Sequence, residues 1–162
     1  MKIFPAIDIK DKKCVRLVKG NFDNKTEYEI SPVDQAAKYK DHGFKNLHVV
    51  DLDGALIGEP VNINIIKDII EKFNLKIEIG GGVRNFETIK KYIDAGVEKV
   101  ILGSAAIKDR NFLEEACKKF PDQIALGLDA KDGHLAISGW TEDSNKLTIE
   151  YLKKVNNYGV SR

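Results

Sequence analysis

The chain alternates short runs rich in Ile and Val with longer amphipathic stretches, and this alternation repeats along its whole length. The short runs have the length and β-branched content of buried strands, and the longer stretches have the apolar spacing of helices. A repeated strand-then-helix pattern predicts parallel strands covered by helices on their outer face. The predicted strands are Lys2–Ile7, Asn46–Asp51, Lys76–Ile79, Lys99–Leu102 and Ile124–Asp129. The predicted helices are Pro32–His42, Ile63–Phe73, Phe86–Ala95, Asn111–Phe120 and Thr148–Tyr158.

A glycine marks three of the predicted helix ends. Gly43 and Gly96 each stand between a helix and the next strand, where a left-handed residue commonly ends a helix. Gly159 has the same position, and only Val160, Ser161 and Arg162 follow it. We therefore expect residues 1–162 to form a single, incomplete α/β domain. Its units could belong to an open, doubly wound sheet or to an eight-stranded barrel, and both bind ligands at the C-terminal ends of their strands.

Composition limits the partners that the chain can have. A hydrophobic content of 43% in 162 residues is enough for one packed core. A net charge of +1 gives no long-range field that would attract nucleic acid or a membrane surface. Cys14 and Cys117 lack the spacing of a metal site or a disulfide scaffold, and the N-terminus lacks a signal sequence. We therefore expect a cytoplasmic protein with two structural thiols.

A glycine run follows the third predicted strand, in the segment Ile79-Gly80-Gly81-Gly82-Val83-Arg84. Backbone N–H groups of Gly81 and Gly82 can approach an anion closely, and the helix that follows adds partial positive charge. The run therefore predicts a phosphate site, with a tight turn as the alternative. Gly103 and Ser104 follow the next strand and would lie beside the run, because adjacent parallel strands end at the same edge.

Arg84 comes directly after the glycines, in a chain that uses Lys far more than Arg. Its planar, permanently charged group suits an oxyanion or a stacked ring. The alternative is a solvated cation in the first helical turn, which the helix dipole disfavours. We therefore expect Arg84 to contact a ligand.

Aspartates are predicted at the C-terminal ends of strands. A carboxyl group there is desolvated and close to a ligand, which can raise its pKa for proton transfer. Asp8 and Asp129 belong to the first and fifth strands, which face each other in an eight-stranded barrel, so they could act as general base and general acid. In an open sheet they would not face each other. Asp51 and Asp53 could equally well be caps of a helix or turn.

The segment after Asp129 predicts a small hairpin, because Lys131-Asp132-Gly133 forms a turn between two apolar runs. Trp140 lies at the end of this hairpin and could stack on a heterocycle or anchor the loop. His48 lies in a predicted strand and is interpreted as a hydrogen-bonded core histidine. No set of His, Cys or carboxylate residues has the spacing of a metal site.

Five segments, in this order, resemble the HisA family of histidine-biosynthesis isomerases, which act on a phosphoribosylformimino-aminoimidazole-carboxamide ribotide. They are FPAIDIKDKKCVRLVKGNF, LHVVDLDGA, IGGGVRN, ILGSAAIKD and LDAKDGHLAISGW. The resemblance implies a TIM-type (βα)8 barrel, truncated to about its first five units. It also implies an Amadori rearrangement of a small substrate with two phosphates, without a cofactor, by an enzyme that is monomeric when intact.

The resemblance also implies roles for single residues. Asp8 would remove the C2′ proton, and Asp129 would protonate the ribose ring oxygen. The substrate-binding residues would be Gly81, Gly82, Gly103 and Ser104 for one phosphate, and Arg84 and Trp140 for the body of the substrate.

The resemblance places strands six to eight of the barrel, with a catalytic threonine and a second phosphate site, beyond this sequence. We therefore expect the chain alone to be nearly inactive. Its open strand edges predict self-association, flattening toward an open sheet, or marginal stability. Two alternatives to the isomerase are a cyclase of the sister family HisF and a non-catalytic, phosphate-binding partial barrel. The segment VVDLDGA and the hairpin that ends in Gly139-Trp140 favour the isomerase over the cyclase.

Overall fold

The computed structural model describes residues 2–18, 20–137 and 142–162. Within these residues the chain forms a seven-stranded sheet, a three-stranded sheet and a set of helices. The strands are β1 (Ala6–Lys10), β2 (Lys13–Val18), β3 (Asn21–Glu27), β4 (Asn46–Asp51), β5 (Lys76–Gly80), β6 (Lys99–Leu102), β7 (Ile124–Leu126), β8 (Asp129–Lys131), β9 (His134–Ile137) and β10 (Glu142–Leu147). The helices are α1 (Pro32–Asp41), α2 (Leu52–Ile57), α3 (Ile63–Phe73), α4 (Phe86–Asp94), α5 (Ser104–Lys108), α6 (Arg110–Lys119) and α7 (Thr148–Val155).

The strands β1, β4, β5, β6 and β7 are parallel and lie next to one another in the order in which the chain forms them. A doubly wound sheet requires a point at which this order reverses, and the described sheet has none. The order is that of consecutive units in a βα barrel. The structure therefore confirms the predicted fold, a (βα)8-type barrel over about its first five units.

The parallel sheet has an outer face packed on helices and a more open inner face. In β4, the side chains of Leu47 and Val49 are completely buried, whereas those of His48 and Val50, which alternate with them, are only half-buried. This period of two assigns His48 and Val50 to the inner face. The outer core is completed by buried side chains of the helices, which include Ile66, Ile69, Ile89, Tyr92, Leu113 and Ala116.

The predicted first strand, Lys2–Ile7, is wrong. The strand is Ala6–Lys10, and Asp8 lies in its middle instead of beyond its end. The strand extends further because β2 folds back onto it, with Asp11 and Lys12 forming the turn at φ values of 51° and 63°. Neither β2 nor β3 is predicted from the sequence, and the turn between β1 and β2 lacks the glycine that usually marks left-handed positions.

The fifth predicted strand, Ile124–Asp129, is shorter than expected and ends at Leu126. Asp129 instead begins β8, which pairs with β9 in the small separate sheet. The turn between them, at Asp132 and Gly133 with φ values of 50° and 81°, confirms the predicted hairpin. The third strand of this sheet, β10, was not predicted.

The bounds of α1, α3, α4 and α6 match the predictions to within one residue, whereas α7 ends at Val155, three residues before the predicted end. Ser31 and Asn85 accept hydrogen bonds from the backbone N–H groups of the first turns of α1 and α4, as N-caps do. Gly43 and Gly96 have φ values of 84° and 92° and directly follow the C-caps of α1 and α4, which confirms two of the predicted left-handed helix ends. Gly159 also has a positive φ, of 86°, but it lies three residues beyond the C-cap of α7, so its prediction as a helix end is wrong. In the described part of the chain, none of the helices has the length and apolar character needed to cross a membrane.

Candidate active site

Asp8 lies on the inner face of the sheet, half-buried between its neighbours on two strands. It pairs with Val50 of β4 on one side and with Val15 of β2 on the other. Burial raises the pKa of the Asp8 carboxyl, while the positive charges of Arg16 and His48 oppose this rise. A carboxyl with a raised pKa is a stronger base when it is ionised. The inner face therefore presents a group that can accept a proton.

His48 and Glu78 form a hydrogen-bonded pair one row below Asp8. His48 Nδ1 lies 2.7 Å from Glu78 Oε1, and Glu78 is 7% exposed. The other oxygen of Glu78 is paired with the guanidinium group of Arg162, which also stacks over the ring of Phe4 at 4.4 Å. Burial lowers the pKa of His48. The predicted hydrogen bond of His48 is confirmed, but the residue is half-buried on the inner face and is not part of the core.

A cavity of about 400 Å³ opens beside Asp8, between β1, β2 and α1. Cys14 lies on its wall, where burial and the nearby Asp8 carboxylate raise the pKa of the thiol to about 11. The thiol is therefore protonated at neutral pH and is a poor nucleophile. Cys117 is also buried, and burial raises its pKa. Both cysteines are free, as the sequence analysis expected.

The glycine turn after β5 packs tightly against the start of α2. Gly81 and Gly82 have φ values of 110° and 71°, in the region that side chains disfavour. A β-carbon on Gly81 would collide with the carbonyl oxygen of Asp51, and one on Gly82 would collide with the carbonyl oxygen of Gly54. The packing of the chain itself therefore requires both glycines, and phosphate binding is not needed to account for them.

Arg84 is attached to the end of α2. Its Nη2 atom donates a hydrogen bond of 2.8 Å to the carbonyl oxygen of Ala55. Carbonyl groups in the last turn of a helix carry partial negative charge, which favours a cation there. Arg84 is thus an exposed cation with a hydrogen bond to α2, and it precedes Asn85, the N-cap of α4, so it does not lie in the first turn of that helix. Contact between Arg84 and a substrate stays a prediction.

The second small-residue turn lies beside the glycine turn, because β5 and β6 are hydrogen-bonded neighbours. Gly103 is the N-cap of α5, and Ser104 is its first residue. The sequence predicts only a turn here, and the short helix α5 is a difference from that prediction. The first N–H groups of a helix point away from its body, so α5 directs such groups toward the edge where the strands end.

Asp51 is the most strongly hydrogen-bonded of the predicted carboxylates. It is fully buried and caps α2, with a hydrogen bond of 2.8 Å from the Gly54 N–H group. It also accepts hydrogen bonds from Asn62 and from the Tyr92 hydroxyl. Burial and the Asp51 charge raise the pKa of Tyr92, which stays protonated and donates. Asp51 is therefore a cap, one of the two interpretations that the sequence left open.

Asp53, Asn62 and Tyr92 complete this buried network. Asp53 accepts hydrogen bonds from the N–H group of Asp11 and from the Asn62 side chain. Neither Asn62 nor Tyr92 is among the site residues predicted from the sequence. The available signal for Asn62 was its position immediately before the apolar repeat of α3, where a short polar residue commonly lies. Tyr92 carried no signal, because its partner lies forty-one residues away.

Asp129 is exposed, at the start of β8. The expectation that it is desolvated at the end of a buried strand is wrong, because Gly127 and Leu128 lead the chain out of β7 and into the small sheet. Trp140 lies outside the described residues. Asp8 and the glycine turn are thus joined by the parallel sheet, and Asp129 belongs to the other sheet.

The family described as Histidine biosynthesis protein matches residues 2–162. Two curated relatives are each named 1-(5-phosphoribosyl)-5-((5-phosphoribosylamino)methylideneamino) imidazole-4-carboxamide isomerase. The one from Pelagibacter ubique is 76% identical over 162 residues, which are 100% of this chain and 68% of the relative. The one from Marinobacter nauticus is 51% identical over 99% of this chain and 66% of the relative. The chain thus spans about two thirds of the length of these relatives, and it belongs to the histidine biosynthesis protein family.

Proposed function

We propose that the chain provides the Asp8 side of an aldose–ketose isomerase site for a phosphoribosylformimino-aminoimidazole-carboxamide ribotide. The observation that carries this proposal is the position of Asp8. Asp8 pairs with Val50, and Val50 pairs with Gly80 at the start of the glycine turn. Adjacent strands are about 4.8 Å apart, so the base and the turn are separated by about 10 Å. A ribose phosphate can span this distance.

The proposed reaction begins at the ribose ring. Asp129 gives its proton to the ring oxygen, the bond between C1′ and that oxygen breaks, and the nitrogen lone pair forms a C1′=N iminium ion. Asp8 then accepts the C2′ proton, and the electrons of that C–H bond form a C1′=C2′ enol-amine. Tautomerisation of the enol gives the C2′ ketone. The raised pKa of Asp8 supports its role as the base, because a carboxylate with a raised pKa accepts a proton more readily.

One phosphate of the substrate is proposed to lie at Gly81, Gly82, Gly103 and Ser104. The neighbouring ends of β5 and β6 support this assignment, since both turns open at one edge of the sheet. Arg84 and Trp140 are proposed to contact the body of the substrate. A cytoplasmic location accompanies this proposal, and the free thiols support it.

A chimera tests the proposal directly. Residues 1–162 are fused to the remaining third of the Pelagibacter ubique relative. The two proteins are 76% identical over the 162 residues, so we expect the two parts of the chimera to pack together. We expect turnover close to that of the relative, and a loss of at least about 1,000-fold in Asp8→Asn. Asp68→Asn is the matched control, because Asp68 is an exposed carboxylate of α3. Full activity in the Asp8→Asn chimera would contradict the proposal.

The exposure of Asp129 favours a second candidate for the chain alone, a non-catalytic phosphate-binding partial barrel. This protein would bind phosphate at the two turns and release no ketose product. Calorimetric titration of inorganic phosphate, together with a product assay on the same sample, distinguishes the two. Binding without turnover supports the second candidate, and turnover by the 162-residue chain excludes it.

A further inference from the structure

Asn62 joins two carboxylates that hold different parts of the chain. Its Nδ2 atom lies 2.7 Å from Asp51 Oδ1 and 2.9 Å from Asp53 Oδ2, and the residue is 2% exposed. A side-chain amide has two N–H donors, and both are used here. The opposite orientation of the amide would place its carbonyl oxygen against two carboxylate oxygens. The network therefore fixes the orientation of Asn62.

The two hydrogen bonds from the Asn62 amide form a bridge between Asp51 and Asp53. At its Asp51 end, this bridge supports the glycine turn. The Asp51 side chain accepts N–H groups from Gly54 at 2.8 Å and from Val61 at 3.0 Å. The carbonyl oxygens of Asp51 and Gly54 are the atoms against which Gly81 and Gly82 are packed. A shift of this loop therefore shifts the surface on which the glycine turn rests.

The Asp53 end of the bridge holds the hairpin of β1 and β2. Asp53 Oδ2 accepts a hydrogen bond of 2.9 Å from the Asp11 N–H group, at the hairpin turn. Asp53 Oδ1 lies 3.8 Å from Lys10 Nζ. The pairing of β1 with β4 extends to Ile9 and Asp51 and stops before this turn. Side-chain contacts therefore connect the turn to α2 where the backbone ladder does not.

We propose that Asn62 is a positioning residue that holds the Asp8-bearing hairpin and the glycine turn in one fixed arrangement. Its importance for catalysis rests on the proposed function, because the arrangement sets the distance between the base and the phosphate turn. Two parts of a chain that share one bridge are coupled, so ordering one of them stabilises the other.

Amide hydrogen exchange of the ligand-free, 162-residue chain tests this bridge. Asn62→Asp keeps the shape of the side chain but removes its Nδ2 donor. This variant places a third carboxylate beside Asp51 and Asp53, so the neutral variant Asn62→Ala is used if Asn62→Asp does not fold. In the Asn62 variants, we expect the Asp11 amide to exchange at least about tenfold faster than it would if only the global stability had changed. Tyr92→Phe is the matched control: it removes another donor to Asp51 and should leave the Asp11 amide at the rate set by global stability. Unchanged protection of Asp11 in the Asn62 variants, or equal loss in Tyr92→Phe, overturns the proposal.

Binding of inorganic phosphate provides a second test of the coupling. Phosphate that shifts the amide resonances of Gly81 and Gly82 should also slow exchange at Asp11 in the unmodified chain, and it should fail to do so in Asn62→Ala. Binding at the glycines with no effect on Asp11 contradicts the coupling. Absence of phosphate binding contradicts the proposed phosphate site instead, and the ligand-free exchange rates still decide the role of Asn62.

Discussion

His48 Nδ1 lies 2.7 Å from Glu78 Oε1, in the row of inner-face side chains directly below Asp8. Glu78 is nearly fully buried, and its second oxygen is paired with Arg162. The carboxylate holds the histidine ring with Nδ1–H as the donor, which fixes the tautomer of the neutral ring. The inner face below the proposed base is therefore a polar layer with defined partners.

This layer predicts a dependence of stability on pH. Burial lowers the pKa of His48 in the folded chain below its unfolded value of about 6.5. The unfolded chain thus binds the proton more readily, so His48 contributes stability that is present above about pH 6.5 and is lost as the pH falls through the folded pKa. We expect the free energy of unfolding to decrease as the pH falls below about 6.5, and this decrease to be smaller in His48→Asn. Urea titrations at several pH values measure the free energy of unfolding of both proteins.

Asp8 should make the opposite contribution. Burial raises the pKa of its carboxyl, so its stabilising contribution is complete below the unfolded value of about 3.8 and is lost as the pH rises through the folded pKa. At neutral pH the ionised group is a cost to the fold. We expect Asp8→Asn to raise the melting temperature at pH 7, by about 2–4 °C for each kcal/mol gained, and to lose this advantage in acid. A lower melting temperature at pH 7 would show that the attraction between Arg16 and the Asp8 carboxylate outweighs desolvation.

Much of the fold could be predicted from periodicity alone. The strands Asn46–Asp51 and Lys99–Leu102 and the helix Ile63–Phe73 were predicted with their exact ends. One face of each of these elements packs on the core, so the spacing of the apolar residues indicates whether the element is a strand or a helix. The glycines after helices were equally informative, because a left-handed residue has few alternatives to glycine.

The elements that were missed depend on contacts distant in sequence. The turn of Asp11 and Lys12 adopts left-handed angles without glycine, and the Asp53 carboxylate that binds it follows a different strand. The departure of Asp129 from the fifth strand depends on the pairing of β8 with β9. The role of Asn62 depends on the Asp51 and Asp53 carboxylates both lying within hydrogen-bond distance of its amide. No local sequence pattern predicts contacts of this kind.

Glycine substitutions separate conformational strain from collision. Gly82 and Gly43 both have positive φ values, but a β-carbon on Gly82 would strike the Gly54 carbonyl, whereas nothing lies within 4 Å of one on Gly43. We expect Gly43→Ala to cost about 1 kcal/mol, from backbone conformation alone. Gly82→Ala should cost at least about 3 kcal/mol, because the backbone must also move. Urea unfolding of both variants measures the difference. Equal losses would show that the packing at Gly82 yields easily.

Arg84 can be assigned to substrate or to structure by kinetics of the chimera. Its hydrogen bond to the Ala55 carbonyl is exposed, so its loss in Arg84→Ala should change the free energy of unfolding by less than about 1 kcal/mol. If Arg84 also contacts the body of the substrate, KM should rise by about tenfold or more with little change in kcat, because uniform binding energy is lost. Arg110→Ala is the matched control, since this exposed arginine begins α6 on the helical layer. An unchanged KM in Arg84→Ala would restrict the residue to holding the end of α2.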